Sequence, residues 1–234
     1  MKHKLVIVLI FTLLVSSVNH SFSQQTIEIR EQFSALTLLG PLHVEIAESD
    51  TCRAIITLHN TDAKSISWKN KNNNLEISLL RGIMNRECYA SVKIYCNPLT
   101  FNRITSQGAT VSSIDTLRVG LMQIIALSSV NRINLTLNCR ELDADVSGDS
   151  QLKLKGLSDW AKIRVTMGGS VNCSKMVTKQ CTALTTGGSN AIVNVTERLD
   201  AKATSNGTIY YFGEPMLSIK KTTLGDVKPI VTPE

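Results

Sequence analysis

Ser147-Gly148-Asp149-Ser150, Met167-Gly168-Gly169-Ser170 and Thr186-Gly187-Gly188-Ser189 are three versions of one small polar tetrad, and their spacing decides the reading of the fold. Their last residues lie 20 and 19 positions apart. Outward from them, Leu127-Ser128-Ser129-Val130 and Ser106-Gln107-Gly108-Ala109 precede at spacings of 20 and 21, and Ser205-Asn206-Gly207-Thr208 follows at 19. Five of the six tetrads carry Gly, and the second, Ser-Ser at its centre, does not. Gly or Asn at a corner reaches positive φ without the Cβ clash that other residues meet there.

Between the tetrads the chain alternates with period two. Ile133-Leu135-Leu137, Leu142-Ala144-Val146, Ile163-Val165-Met167, Ala191-Val193-Val195 and Leu199-Ala201-Ala203 are apolar at every second position. Such alternation over short runs predicts strands with one buried face. Two short strands and one corner every ~20 residues predict an all-β parallel β-helix-like solenoid. In that fold each rung completes its core only against its neighbours. The structural rival is an antiparallel sandwich, whose strands have no fixed 20-residue register.

The flanks fit around this repeat. Residues 24–104 are less regular but still alternate at Leu42-Val44-Ile46, Leu75-Ile77-Leu79 and Val92-Ile94-Cys96. They read as the N-terminal β region of the same domain, ahead of regular rungs over 105–213. From Glu214 onward Pro215, Gly225, Pro229 and Pro233 indicate a cap and tail over 214–234. At the other end, Lys2 and Lys4 precede an apolar run from Leu5 to Val15, and Ser21-Phe22-Ser23 offers small-x-small. That is the pattern of a signal peptide over 1–23, too short in its apolar part to span a bilayer. An exported chain beginning near Gln24 is therefore expected, periplasmic or at the cell surface, with no integral membrane segment after cleavage.

Composition narrows the function classes. Without Lys2 and Lys4 the formal charge drops from +6 to +4, and Lys and Arg are dispersed along the chain. A nucleic-acid partner needs a clustered basic face, so none is expected. Six cysteines, Cys52, Cys88, Cys96, Cys139, Cys173 and Cys181, occur without any C-x-x-C spacing, so no zinc site is expected. An even count in an exported chain permits disulfides, and buried free thiols are the alternative.

In this order along the chain the residues resemble a known family. Phe33 is followed by Gly40-Pro41-Leu42-His43-Val44-Glu45-Ile46, Leu75-Glu76-Ile77, Val92-Lys93-Ile94, Pro98-Leu99 and Ile104 leading into Ser106-Gln107-Gly108-Ala109. After the later tetrads comes Tyr210-Tyr211-Phe212-Gly213-Glu214-Pro215. This is similar to the bacterial "putative auto-transporter adhesin, head GIN domain" family. The resemblance implies a right-handed β-helix-like fold, export in Bacteroidetes-type bacteria and an adhesin label. The Gly-free second tetrad and the six cysteines depart from the pattern.

Catalysis has little to work with. Only His43 and His59 remain beyond the leader, neither near a candidate nucleophile, so no Ser/His/Asp or Cys/His site is expected. Asp143, Asp145 and Asp149 form the best acidic group, a candidate for Ca²⁺ or for an acid/base pair. Their alternation with Leu142, Ala144 and Val146 puts them on an outward face. There Lys162 and Arg164 of the next rung would balance them. No metal and no cofactor are expected. Aromatic faces beside polar groups suit glycans, and Trp160 with Asp159, in a loop at 157–160, and Trp68, beside the polar run 69–74, are the candidates. The reading is an exported binding or adhesion module without catalysis, with a glycan or an envelope protein as partner. The alternatives are a carbohydrate-active enzyme on the same fold and a structural envelope protein that self-associates as a homo-oligomer.

Overall fold

A computed structural model describes residues 25–79, 88–127, 130–222 and 224–230. The expected leader at 1–23, the Ser128-Ser129 pair and Pro233 lie outside the described residues. The strands, in chain order, are β1 (Thr26–Ile29), β2 (Ala35–Leu39), β3 (Leu42–Glu48), β4 (Arg53–His59), β5 (Ile66–Lys71), β6 (Asn74–Leu79), β7 (Tyr89–Cys96) and β8 (Arg103–Gln107). They continue as β9 (Thr110–Ala126), β10 (Arg132–Ser147), β11 (Gln151–Thr166), β12 (Ser170–Thr186), β13 (Asn190–Ala203), β14 (Thr208–Phe212), β15 (Met216–Lys221) and β16 (Asp226–Pro229). Apart from one 3₁₀ turn at Ala63–Ser65, the described residues hold no helix.

From β9 to β13 each strand pairs in parallel with the next, and β14, β15 and β16 prolong the stack. This is the parallel β-solenoid that the tetrads predict. It differs from expectation in one respect: each rung is a single strand of 14–17 residues rather than two short ones. The strand stays in the sheet through its second corner, where the ladder skips the corner residue and, between β12 and β13, shifts register. In β10, Ile133, Leu135, Leu137 and Cys139 point inward, Arg140 and Glu141 both point away, and Leu142, Ala144 and Val146 point inward again. Two consecutive outward residues reverse the phase, because side chains alternate strictly along a flat strand. The same slip falls at Asp159-Trp160 and Lys179-Gln180. Inward columns alternate large with small, as in Ile124, Ala144, Ile163 and Ala183, which stack in register. Each large member removed from water contributes roughly 1.5–3 kcal/mol.

The tetrad corners stack as one buried column of Ala109, Asn131, Ser150, Gly169, Ser189 and Gly207. Backbone N–H groups beside it donate from rung to rung at 2.9–3.1 Å: Arg132 to Ala109, Gln151 to Asn131, Ser170 to Ser150, Asn190 to Gly169 and Thr208 to Ser189. Three members sit one place from the tetrad ends, at Asn131, Gly169 and Gly207, because bulges in the ladder change rung length. The second corner lacks glycine but keeps its place. Asn131 Oδ1 accepts from Ser106 Oγ at 2.7 Å and from the Gly108 N–H at 2.8 Å, and Asn131 Nδ2 donates to Ser150 Oγ at 2.8 Å. At Gly207 no side chain fits, since a Cβ would stand 2.6 Å from the Thr185 carbonyl oxygen.

Chain order and stack order part at the N-terminal end. β2 lies between β6 and β8, and β3 between β7 and β9, all in parallel. β2 and β3 thus form an inner rung, β6 and β7 an outer one, and the chain crosses back to β8. Antiparallel strands then close this end: β5 on β6, β4 on β7, and β1 on β4. At the other end the inward columns stop at Leu217 and Ile219, 42% and 43% exposed.

All six cysteines are free thiols, and five are buried. Burial pushes the Cys139 thiol up to about 11 and those of Cys96 and Cys181 up to about 12, and raises Cys173 as well. Thiols with raised values favour the folded state fully below their ordinary value, and that contribution is lost as pH rises through the folded value. Stability is therefore expected to fall between pH 9.0 and about 12, read as a lower urea midpoint at pH 10.5 than at pH 8. At pH 8 iodoacetamide is expected to label the half-buried Cys88 first, and the buried thiols only after denaturation. Rapid labelling of all six in the native protein would contradict this burial. Gly207→Ala is expected to cost ~1–3 kcal/mol at unchanged m-value. Gly120→Ala, with nothing within 4 Å of its Cβ position, is expected to stay within ~0.5 kcal/mol.

Candidate functional site

Parallel stacking brings residues about 20 apart in sequence into neighbouring positions. Along the strand segment before the tetrad corner, Leu121, Glu141, Trp160, Gln180, Arg198 and Met216 form one outward row in register. Two residues further along each strand a second row runs Gln123, Asp143, Lys162, Thr182, Asp200 and Ser218. Between these rows lies an open groove of about 330 Å³ that includes Trp160, Glu141, Asp143, Gln180, Arg198 and Asp200. Trp160 is 48% exposed, so a large part of its surface is available to a ligand. Arg198 holds Asp200 with two hydrogen bonds, at 2.9 and 3.0 Å. The hydrogen bond to this guanidinium keeps the Asp200 carboxyl below its ordinary range.

The structure separates two of the sequence candidates. Trp160 lies inside β11 and not in a projecting loop; the run 157–160 is strand turning the second corner. As consecutive outward residues at that corner, Asp159 and Trp160 serve different grooves. Asp159 lines another, of about 600 Å³, with Leu157, Val177 and Lys179, and ion-pairs with Lys179 Nζ at 2.8 Å. Trp68, 43% exposed, lies at the N-terminal end in β5, in register with the inward-facing Ile77. It lines neither the Trp160 groove nor the Asp159 groove.

The acidic candidates lie outward as expected. Asp143 is in register with Lys162 and Asp145 with Arg164. Asp145 forms an ion pair with Arg164, both side chains being 35% exposed. Such a pair contributes at most ~1 kcal/mol. Among the described residues no group of three or more His, Cys, Asp or Glu could hold a metal ion. Glu141, Gln180 and Arg198 are the groove residues beside Trp160 that sequence reasoning missed. Their signal was only their distance from it, 19, 20 and 38 residues, close to one or two repeats.

These features define a parallel β-solenoid with shallow, repeated surface grooves. Residues 32–215 match the family described as "Putative auto-transporter adhesin, head GIN domain", and the chain belongs to it. No curated protein matches the sequence. Among solved structures, the chain is similar to a putative adhesin from Bacteroides fragilis, with 21% identity and a TM-score of 0.76, over 90% of this chain and 98% of that one. A putative lipid binding protein from Parabacteroides distasonis shares the fold at 16% identity and a TM-score of 0.70, over 90% and 98%. So does a putative adhesin from Parabacteroides merdae, at 16% identity and a TM-score of 0.61, with the same coverage. The protein is a β-solenoid module of an adhesin-like family, and its family and surface fit binding rather than catalysis.

Proposed function

We propose that the chain, released from a leader at 1–23, is a surface or periplasmic binding module that takes a glycan on the outward face around Trp160. The observation that carries this reading is the exposed indole ring in an open groove, with Glu141, Gln180, Arg198 and Asp200 around it. A sugar ring stacks its C–H face on an aromatic plane, while planar polar side chains take its hydroxyls. The groove is open and continues into its neighbour through Lys162, Thr182 and Asp200, which suits a polymer passing over it more than a small molecule enclosed by it. Asp159 lies on the far side of the corner, so it contributes to the Trp160 groove only through the strand that both share.

A second reading, self-association, has its own observation. Leu217 and Ile219 end the inward columns half-exposed, and Met216 beside them is 71% exposed. Among the described residues β15 pairs only with β13, and no strand covers its other edge. Open edges and exposed column ends are where a second solenoid or another strand adds.

Retention of the purified chain on a panel of cell-wall and host polysaccharides, with release of new chain ends followed in parallel, tests the first reading. Saturable retention without release is expected, falling at least tenfold in Trp160→Ala while the melting temperature holds. Retention unchanged by that substitution would remove the site. Sedimentation over a hundredfold range of concentration tests the second. Association that Ile219→Lys abolishes is its expected signature, and a monomer throughout would end it.

A further inference from the structure

Beside the Trp160 groove lies a second of about 350 Å³, sharing Lys162, Thr182 and Asp200 with it. Its far side is a third outward row, in which Arg164, Leu184, Lys202 and Lys220 stack in register. Four cationic side chains, Lys162, Arg164, Lys202 and Lys220, line this groove against one carboxylate, Asp200. In sequence these cations are spread over 59 positions, from 162 to 220, and form no cluster.

The carboxylates nearby neutralise only part of this charge. Asp200 is taken by Arg198 through two hydrogen bonds, and Asp145 by Arg164. Asp143 is in register with Lys162 across the shared row. Among the described residues no ion pair joins Lys162, Lys202 or Lys220 to a carboxylate. Lys202 and Lys220 are also direct neighbours on adjacent strands. Like charges so placed repel, at a cost to the folded sheet. Thr182 and Ser218 supply hydroxyls between the cations, and Leu184 an apolar patch.

We infer that this groove is an anion subsite, and that the polymer lying across Trp160 is an acidic polysaccharide whose carboxylate or sulfate groups rest on Lys162, Lys202 and Lys220. The inference rests on the glycan reading and narrows it. From the Trp160 row to the Lys202 row is four residues along a strand, ~13 Å. One chain stacked on the indole therefore reaches the lysines within a few sugar units. A polymer with regularly spaced charges relieves the Lys202–Lys220 repulsion, and its hold weakens as salt screens the exposed charges.

The test compares each polymer with its uncharged counterpart, polygalacturonate with its methyl ester and dextran sulfate with dextran, at low and high salt. The wild-type chain is expected to be retained at least tenfold better by at least one charged form, and to lose that preference at high salt. Lys202→Glu with Lys220→Glu is expected to abolish the preference. Both side chains are exposed, so the fold should persist, which circular dichroism verifies. Lys153→Glu, an exposed cation outside both grooves, is expected to keep it. Equal retention of charged and neutral forms overturns the subsite, as does a preference that survives the double reversal. Trp160-dependent retention on neutral polymers alone leaves the glycan reading standing and removes this one. Lysine-dependent binding to phosphatidylglycerol vesicles or inorganic sulfate, with no polymer retained, removes both.

Discussion

The fold depends on a corner that must be passed at nearly the same place in every rung. Ala109, Asn131, Ser150, Gly169, Ser189 and Gly207 stack there, and the carbonyl of each of the first five accepts from the residue after the next member. A parallel ladder is continuous only if each turn of chain returns to the level of its neighbour. The inside of the corner therefore has room only for small residues, or for one that bonds its way in. Asn131 is the second kind: its amide occupies the column by meeting Ser106, Gly108 and Ser150. Ser189 works similarly, its hydroxyl lying 2.7 Å from the Val165 carbonyl and 2.8 Å from that of Thr186. The buried polar side chains of the column, Asn131, Ser150 and Ser189, are thus hydrogen-bonded, as burial away from water requires.

From that constraint follows the character of the surface. A solenoid repeats the same outward positions at every rung, and in this one the outward side chains stack in rows. Enzymes that use paired carboxylates or a nucleophile and base need groups aimed at one reacting atom. Here Asp145 instead faces Arg164, and Arg198 faces Asp200, as neighbours on a sheet. Rows suit ligands that are themselves extended and repetitive. The shallow grooves beside Trp160 and Lys202 run into one another through three shared residues, Lys162, Thr182 and Asp200.

The two ends of the stack are finished differently. Antiparallel β1, β4 and β5 cover the first rungs, an arrangement that turns a templating edge into a hairpin edge. At the other end the columns run on to Leu217 and Ile219 with no further rung beyond them among the described residues. Because neighbouring rungs supply each other's core, the last rung is the least buried, whatever its sequence.

The sequence by itself determined the architecture. Corner tetrads every 19 to 21 residues, five of the six bearing Gly, and period-two alternation between them are local consequences of backbone sterics and one-sided burial. The outward setting of Asp143, Asp145, Lys162 and Arg164 was legible for the same reason. Tertiary structure alone decided the rest. The phase slip inside each rung at Arg140-Glu141, the parting of Asp159 from Trp160, and the return of 103–107 beside 35–39 depend on where a strand bends and which rung it meets. The site belongs to this second group. Trp160, Gln180 and Arg198, or Lys162, Lys202 and Lys220, come together only when the stacking register is fixed. A bulge of one residue would exchange outward for inward along the rest of its strand and take that strand's member out of the row.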